Sequence, residues 1–150
     1  MTKIRFADGS SPWLTPQRLG ADLAAKPDGD GMVAVPDGDT RAAARYPHPG
    51  SDTELQMFEV RIPPEQDVPA HAHHTDEIIY VLEGELRLGA HVVGPGSSVY
   101  IGGETLYSFV PGPQGVRFLN FRGTRDMGAI SKEEFMAERR ERASSRNADS

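Results

Sequence analysis

Pro69-Ala-His-Ala-His-His-Thr-Asp-Glu-Ile-Ile-Tyr-Val-Leu-Glu-Gly84 is the stretch on which the reading of this chain turns. Three of the chain's five histidines fall within it, followed by a carboxylate and a run of strand-forming residues. Side chains alternate across a strand, so His71 and His73 point one way while Ala72 and His74 point the other. A turn at Thr75-Asp76 brings Glu77 back beside the two rings. Two imidazoles and one carboxylate on a rigid sheet are a ligand set for a divalent transition metal that leaves coordination positions open. His74 and Asp76 are expected to face solvent or to support the ligands from behind.

Outward from this stretch, turn residues punctuate short apolar runs. Strands are predicted at 32–35, 41–46, 55–62, 78–82, 85–88, 91–93, 97–101, 106–110 and 116–122, with turns at Pro36-Asp37-Gly38-Asp39, Glu83-Gly84, Gly94-Pro95-Gly96 and Pro111 to Gly115. No crossover helix interrupts them, which implies a sandwich or barrel of hairpins. In the 55–62 run, Phe58, Val60 and Ile62 share a face, and Met57, Glu59 and Arg61 share the other. Arg61 is read as exposed, or as meeting an anionic substrate if its face lines a pocket. Asn120 shares a face with Val116 and Phe118, so it serves a pocket or bonds a neighbouring strand. His48, between prolines, is read as exposed.

Residues 1–31 read as an irregular arm anchored by Trp13, which packs on the barrel or on a partner subunit. Ser131-Lys132-Glu133-Glu134 is a capping-box pattern opening a helix, with Phe135 and Met136 as its docking face. Residues 123–143 are accordingly a linker and helix, and 144–150 a disordered tail.

At 150 residues, with 16 Gly, 12 Pro and 37% hydrophobic residues, the composition suits one turn-rich, all-β domain. The net charge of −6 gives no electrostatic reason to expect nucleic acid or an anionic membrane as partner. Without cysteine there is no disulfide, thiolate nucleophile or Cys-ligated metal, so a metal must be held by nitrogen and oxygen. No signal core opens the chain and no apolar run approaches the roughly 20 residues of a membrane span, so a cytoplasmic location is expected.

These residues resemble the cupin superfamily of jelly-roll (double-stranded β-helix) barrels over about residues 32–122. Its first motif is matched by His71, His73, Glu77 and Gly84, with Glu65 where a glycine usually opens it. Its second is matched at Gly96 and then departs: Gly102 replaces Pro, Glu104 replaces Gly, Tyr107 replaces His and Pro111 replaces Asn. The resemblance implies one divalent metal, iron foremost and manganese, nickel or zinc otherwise. Complete family sites use three His and one Glu, whereas this chain offers His71, His73 and Glu77. Tyr107 then coordinates as phenolate, acts as hydrogen-bond donor or acid, or fills the space of a lost ligand.

The function expected is a metal-dependent enzyme on a small molecule, first an oxygenase, next an isomerase or lyase in which Tyr107 or Glu104 moves a proton. A non-catalytic small-ligand-binding protein is the alternative from another class. The resemblance also implies a homodimer paired through sheets.

Overall fold

A computed structural model of the chain describes residues 3–16, 32–126 and 128–149. Residues 17–31 of the predicted arm therefore lie outside the described residues. The described residues form ten strands and one helix: β1 (Leu14–Pro16), β2 (Met32–Ala34), β3 (Ala43–His48), β4 (Gln56–Ile62), β5 (Val68–Ala72), β6 (Glu77–Leu88), β7 (His91–Val93), β8 (Ser98–Ile101), β9 (Tyr107–Arg122), β10 (Ile130–Ser131) and α1 (Lys132–Ala148). All pairings are antiparallel. One edge runs β10-β5-β9-β4-β3-β1-β2, and β6 joins β9 to β7 and β8.

Two predicted breaks are not breaks. Glu83-Gly84 lies within β6, and Pro111 to Gly115 lies within the 16-residue β9. The reason is a shared bend. Gly84 and Gly115 both adopt positive φ, and a Cβ on Gly84 would stand 2.1 Å from the Gly115 carbonyl oxygen. Glycine at both positions lets two paired strands kink together instead of ending. The ladder shifts register on either side of this point, between Val81 and Glu83 and between Gly84 and Leu86. The bent β9 thereby serves two sheets, pairing β5 with its first residues and β4 with its last.

The alternation on β4 places Phe58, Val60 and Ile62 in the core with Ile79, Val81, Phe109, Val116 and Phe118. Burying side chains of this size stabilises by roughly 1.5–3 kcal/mol each. On the opposite face of β4, Glu59 accepts hydrogen bonds from Arg45 (2.7 Å) and Arg117 (2.5 Å). Trp13 sits between the guanidinium groups of Arg45 and Arg61, 4.8 and 4.6 Å from its ring centroid, so it packs on the outside of the barrel. Arg61 also donates to the carbonyls of Asp39 and Arg41, which places it away from the interior.

Ser131 caps α1 through both bonds of the predicted capping box. Phe135 docks against Ala72 and Ile130. The helix runs through Ala148, past the predicted start of a disordered tail at 144. Alanine and arginine at 143, 146 and 148 are good helix formers, and Arg146 in the last turn complements the helix dipole. No helix among the described residues is long and apolar enough to cross a membrane.

Candidate functional site

The two ends of β9 meet at one place. Register pairs Tyr107 with His71 of β5, Asn120 with Ile79 and Arg122 with Glu77 of β6. The segment between His73 and Glu77 is held from outside: Thr75 donates to Asp126 through its amide (3.3 Å) and hydroxyl (2.7 Å), and Asp76 accepts from the Gly103 amide (2.7 Å). His71, His73 and Glu77 are therefore gathered with Tyr107, Asn120 and Arg122 at one end of a cavity of about 550 Å³. Much of the remaining wall is apolar, led by Phe58, Val60, Ile62, Phe109 and Phe118, with Gln66, Asp67, Ser131 and Glu134 also lining it.

Glu77 is the hub, with 2% of its surface exposed. Tyr107 donates its hydroxyl hydrogen to Oε1. Oε2 accepts from Asn120 Nδ2 (2.8 Å), Arg122 Nε (3.3 Å) and Arg122 Nη2 (3.0 Å). Burial pushes the Glu77 pKa up, but the nearby Arg122 charge and the bonds from Tyr107 and Asn120 outweigh it and hold the carboxyl below its ordinary range. His73 moves the other way for a cation, because burial and the adjacent Arg122 charge lower its pKa and keep the ring neutral.

Both histidines turn Nδ1 to a backbone carbonyl, His71 to Pro69 (2.8 Å) and His73 to Gly128 (2.9 Å). A carbonyl only accepts, so Nδ1 of each ring carries a hydrogen, and a ring in its neutral form keeps its lone pair on Nε2. The rings lie edge to face with centroids 5.0 Å apart, and Tyr107 is 4.5 Å from His71. Asn120 is oriented by the same logic. Glu77 accepts, so the amide nitrogen faces it, and the buried Oδ1 is left with no hydrogen-bond partner.

The imidazoles by themselves suit a metal, since ligating histidines hold their second nitrogen in this way. The carboxylate does not. Its oxygens already receive Tyr107, Asn120 and Arg122, and Arg122 Nη2 also lies 3.2 Å from His73 Nε2. Among the described residues no group of three or more His, Asp or Glu side chains is arranged to hold a metal ion. The predicted set of His71, His73 and Glu77 thus shares one locality, but with a guanidinium seated between His73 and Glu77.

Glu104 stands elsewhere. It occupies an exposed turn at φ 59° and accepts from Arg142 Nη2 at 2.9 Å, so it is no proton carrier for this cavity. His74 is exposed, 3.8 Å from Glu104. Sequence reasoning passed over Arg122, although the inward face that holds Val116, Phe118 and Asn120 continues to it at the next alternate position. A charge at an inward position demands a buried counter-charge, and that demand was the available signal.

An antiparallel barrel bent at paired glycines, with imidazoles and a carboxylate gathered at one end of an apolar cavity, defines the jelly-roll class. The cupin domain family model matches residues 58–120, and the fold is that of the cupin jelly-roll barrels. An RmlC-like cupin protein from Ralstonia eutropha JMP134 superposes with a TM-score of 0.57 at 17% identity, over 91% of this chain and 84% of that one. The polyketide cyclase RemF from Streptomyces resistomycificus gives 0.50 at 24%, over 69% and 90%. DMSP lyase DddQ from Ruegeria pomeroyi DSS-3 gives 0.52 at 20%, over 61% and 52%. At such identities the likeness is one of fold. No curated protein matches the chain.

Proposed function

We propose that this cupin is an enzyme acting on a small, mainly apolar molecule that carries a hydroxyl or N–H group, by proton transfer of the isomerase or lyase kind. The observation that carries this reading is the division of donors and acceptors at the polar end of the cavity. The Tyr107 hydroxyl hydrogen, Asn120 Nδ2, Arg122 Nε and Arg122 Nη2 all point at Glu77. The acceptors left among the lining side chains at this end are Asn120 Oδ1, buried without a partner, and, in the neutral ring, His71 Nε2. A guest donor would satisfy the buried amide oxygen, whose desolvation otherwise goes uncompensated.

In this reading His71 is the general base, taking a proton from the bound molecule through Nε2 while the Pro69 carbonyl steadies the imidazolium through Nδ1. Tyr107 and Asn120 position the guest, and Glu77 holds both in place. The test is solvent exchange. A panel of hydroxylated carbonyl compounds is incubated with the protein in D2O and followed by NMR for deuterium at carbon. Exchange that persists in EDTA and disappears in His71→Ala supports the reading; a panel with no exchange above the His71→Ala background overturns it.

The backbone tethering of both imidazoles favours a second reading, a metal-dependent oxygenase with iron foremost among the candidate metals. It requires Arg122 to leave Glu77, and oxygen consumption that depends on added Fe(II) tests it. We also propose that two copies pair, because Ile78, Tyr80, Tyr100 and Phe121 are exposed on adjoining strands. Light scattering on the purified protein checks this, and a monomer at micromolar concentration overturns it.

A further inference from the structure

We propose that Arg122 is a built-in cation occupying the place a metal would take, and that the wild-type cavity for this reason rejects divalent ions. The geometry is one of shared donors. Nη2 of Arg122 lies 3.0 Å from Glu77 Oε2 and 3.2 Å from His73 Nε2, hydrogen-bond spacings around one nitrogen. Coordination would need each of those atoms at about 2.0–2.2 Å from a common ion. The surrounding side chains are therefore spaced for a guanidinium.

The guanidinium is also fixed from its other sides. Nε reaches Glu77, Nη1 donates to the Asp126 carbonyl, and the plane lies 5.0 Å from the Phe58 ring centroid. The side chain is 2% exposed and its carboxylate partner 1%. A divalent ion entering this locality would face one carboxylate that is already neutralised and a buried positive charge that has no solvent to retreat into. What a metal would provide here, a positive charge that orders Glu77 and His73, is provided by a side chain that never loses its charge near neutral pH and cannot be removed by chelators.

The inference builds on the reading of this cavity as the working site, yet its test needs no substrate. A failed deuterium exchange and a metal-binding wild type are therefore separable results. Untagged wild type and the variants Arg122→Ala and Arg122→Gln are titrated with Co²⁺, Ni²⁺ and Zn²⁺ by calorimetry, and the cobalt titration is also followed by its visible absorption. Folding of each variant is checked by circular dichroism.

The expected result is no saturable uptake by wild type. Arg122→Ala and Arg122→Gln should each take up one equivalent, at least a hundredfold more tightly, with a rise in Tm, and should lose that binding in combination with His71→Ala. In the metal-free wild type the Arg122 Nε–H resonance should be protected from solvent exchange and unmoved by added Zn²⁺, a readout that does not depend on either variant folding. One equivalent bound by wild type and lost in His71→Ala, a folded variant no better than wild type, or an unprotected Nε–H would each overturn the proposal.

Discussion

Arg122 Nη2 stands 3.0 Å from Glu77 Oε2, and both side chains are almost entirely out of solvent. Removing one partner strands a charge in a low-dielectric interior. Glu77→Leu and Arg122→Met should each lose roughly 3–5 kcal/mol of stability, while Glu77→Leu/Arg122→Met should lose clearly less than the sum of the two single changes. Urea denaturation of the wild type, the single variants and the double variant measures this directly, and additive losses would argue against a coupled pair.

Tyr107→Phe deletes the hydroxyl that donates to Glu77 Oε1 and keeps the ring against His71 and Phe109. A hydrogen bond to a charged group contributes about 1.5–3 kcal/mol, so a loss of that order is expected in urea melts. With one fewer donor the Glu77 carboxyl should titrate higher than in wild type. Carbon-13 NMR of labelled glutamate checks the direction.

Acid should unfold the protein in two stages. His73 has a folded pKa below its unfolded value, so its contribution is fully present above about 6.5 and is lost as pH falls from there toward the folded pKa. Glu77 and Asp126 are also depressed; their contributions are present above about 4 and lost as pH falls through their folded values. Tm measured from pH 8 to pH 3 should decline first below about 6.5 and more steeply below about 4. A flat profile between 7 and 5 would mean that His73 is not held neutral.

Gly84→Ala should be costly despite adding one methyl group. The residue has φ 68°, and the new Cβ would lie 2.1 Å from the Gly115 carbonyl oxygen. Strain at positive φ and that overlap together should cost clearly more than alanine at Gly89, whose Cβ would meet nothing and which bears the φ strain alone, about 1–2 kcal/mol. Gly89 also has positive φ, so the difference between the two melts isolates the steric part.

Ser131→Ala removes one bond of the capping box and should lower stability by about 1 kcal/mol. Ser131 and Glu134 also line the cavity, so the same change should alter ligand affinity if the first turn of α1 forms part of the wall. Thermal melts with and without a bound hydroxylated compound separate the two effects.

Much of the barrel was legible because local patterns carried it. The alternation in β4 marked Phe58, Val60 and Ile62 as interior, and Ser131 with Glu134 marked the start of α1. The bends were misread as ends, since a glycine kink and a hairpin turn share the same residues and only the partner strand distinguishes them. Glu104 was credited with a role by its place in a motif, while its backbone turned it to Arg142 and solvent.

The sequence alone determined the strand-rich architecture and the gathering of His71, His73 and Glu77, because periodicity and spacing along one short segment are local properties. The tertiary structure decided what meets them. Tyr107 and Arg122 lie at opposite ends of β9, and only the bend at Gly84 and Gly115 and the register with β5 and β6 bring both to Glu77. Whether a carboxylate holds an ion or a guanidinium is a contest between buried charges, and its outcome depends on which side chains occupy the same few ångströms.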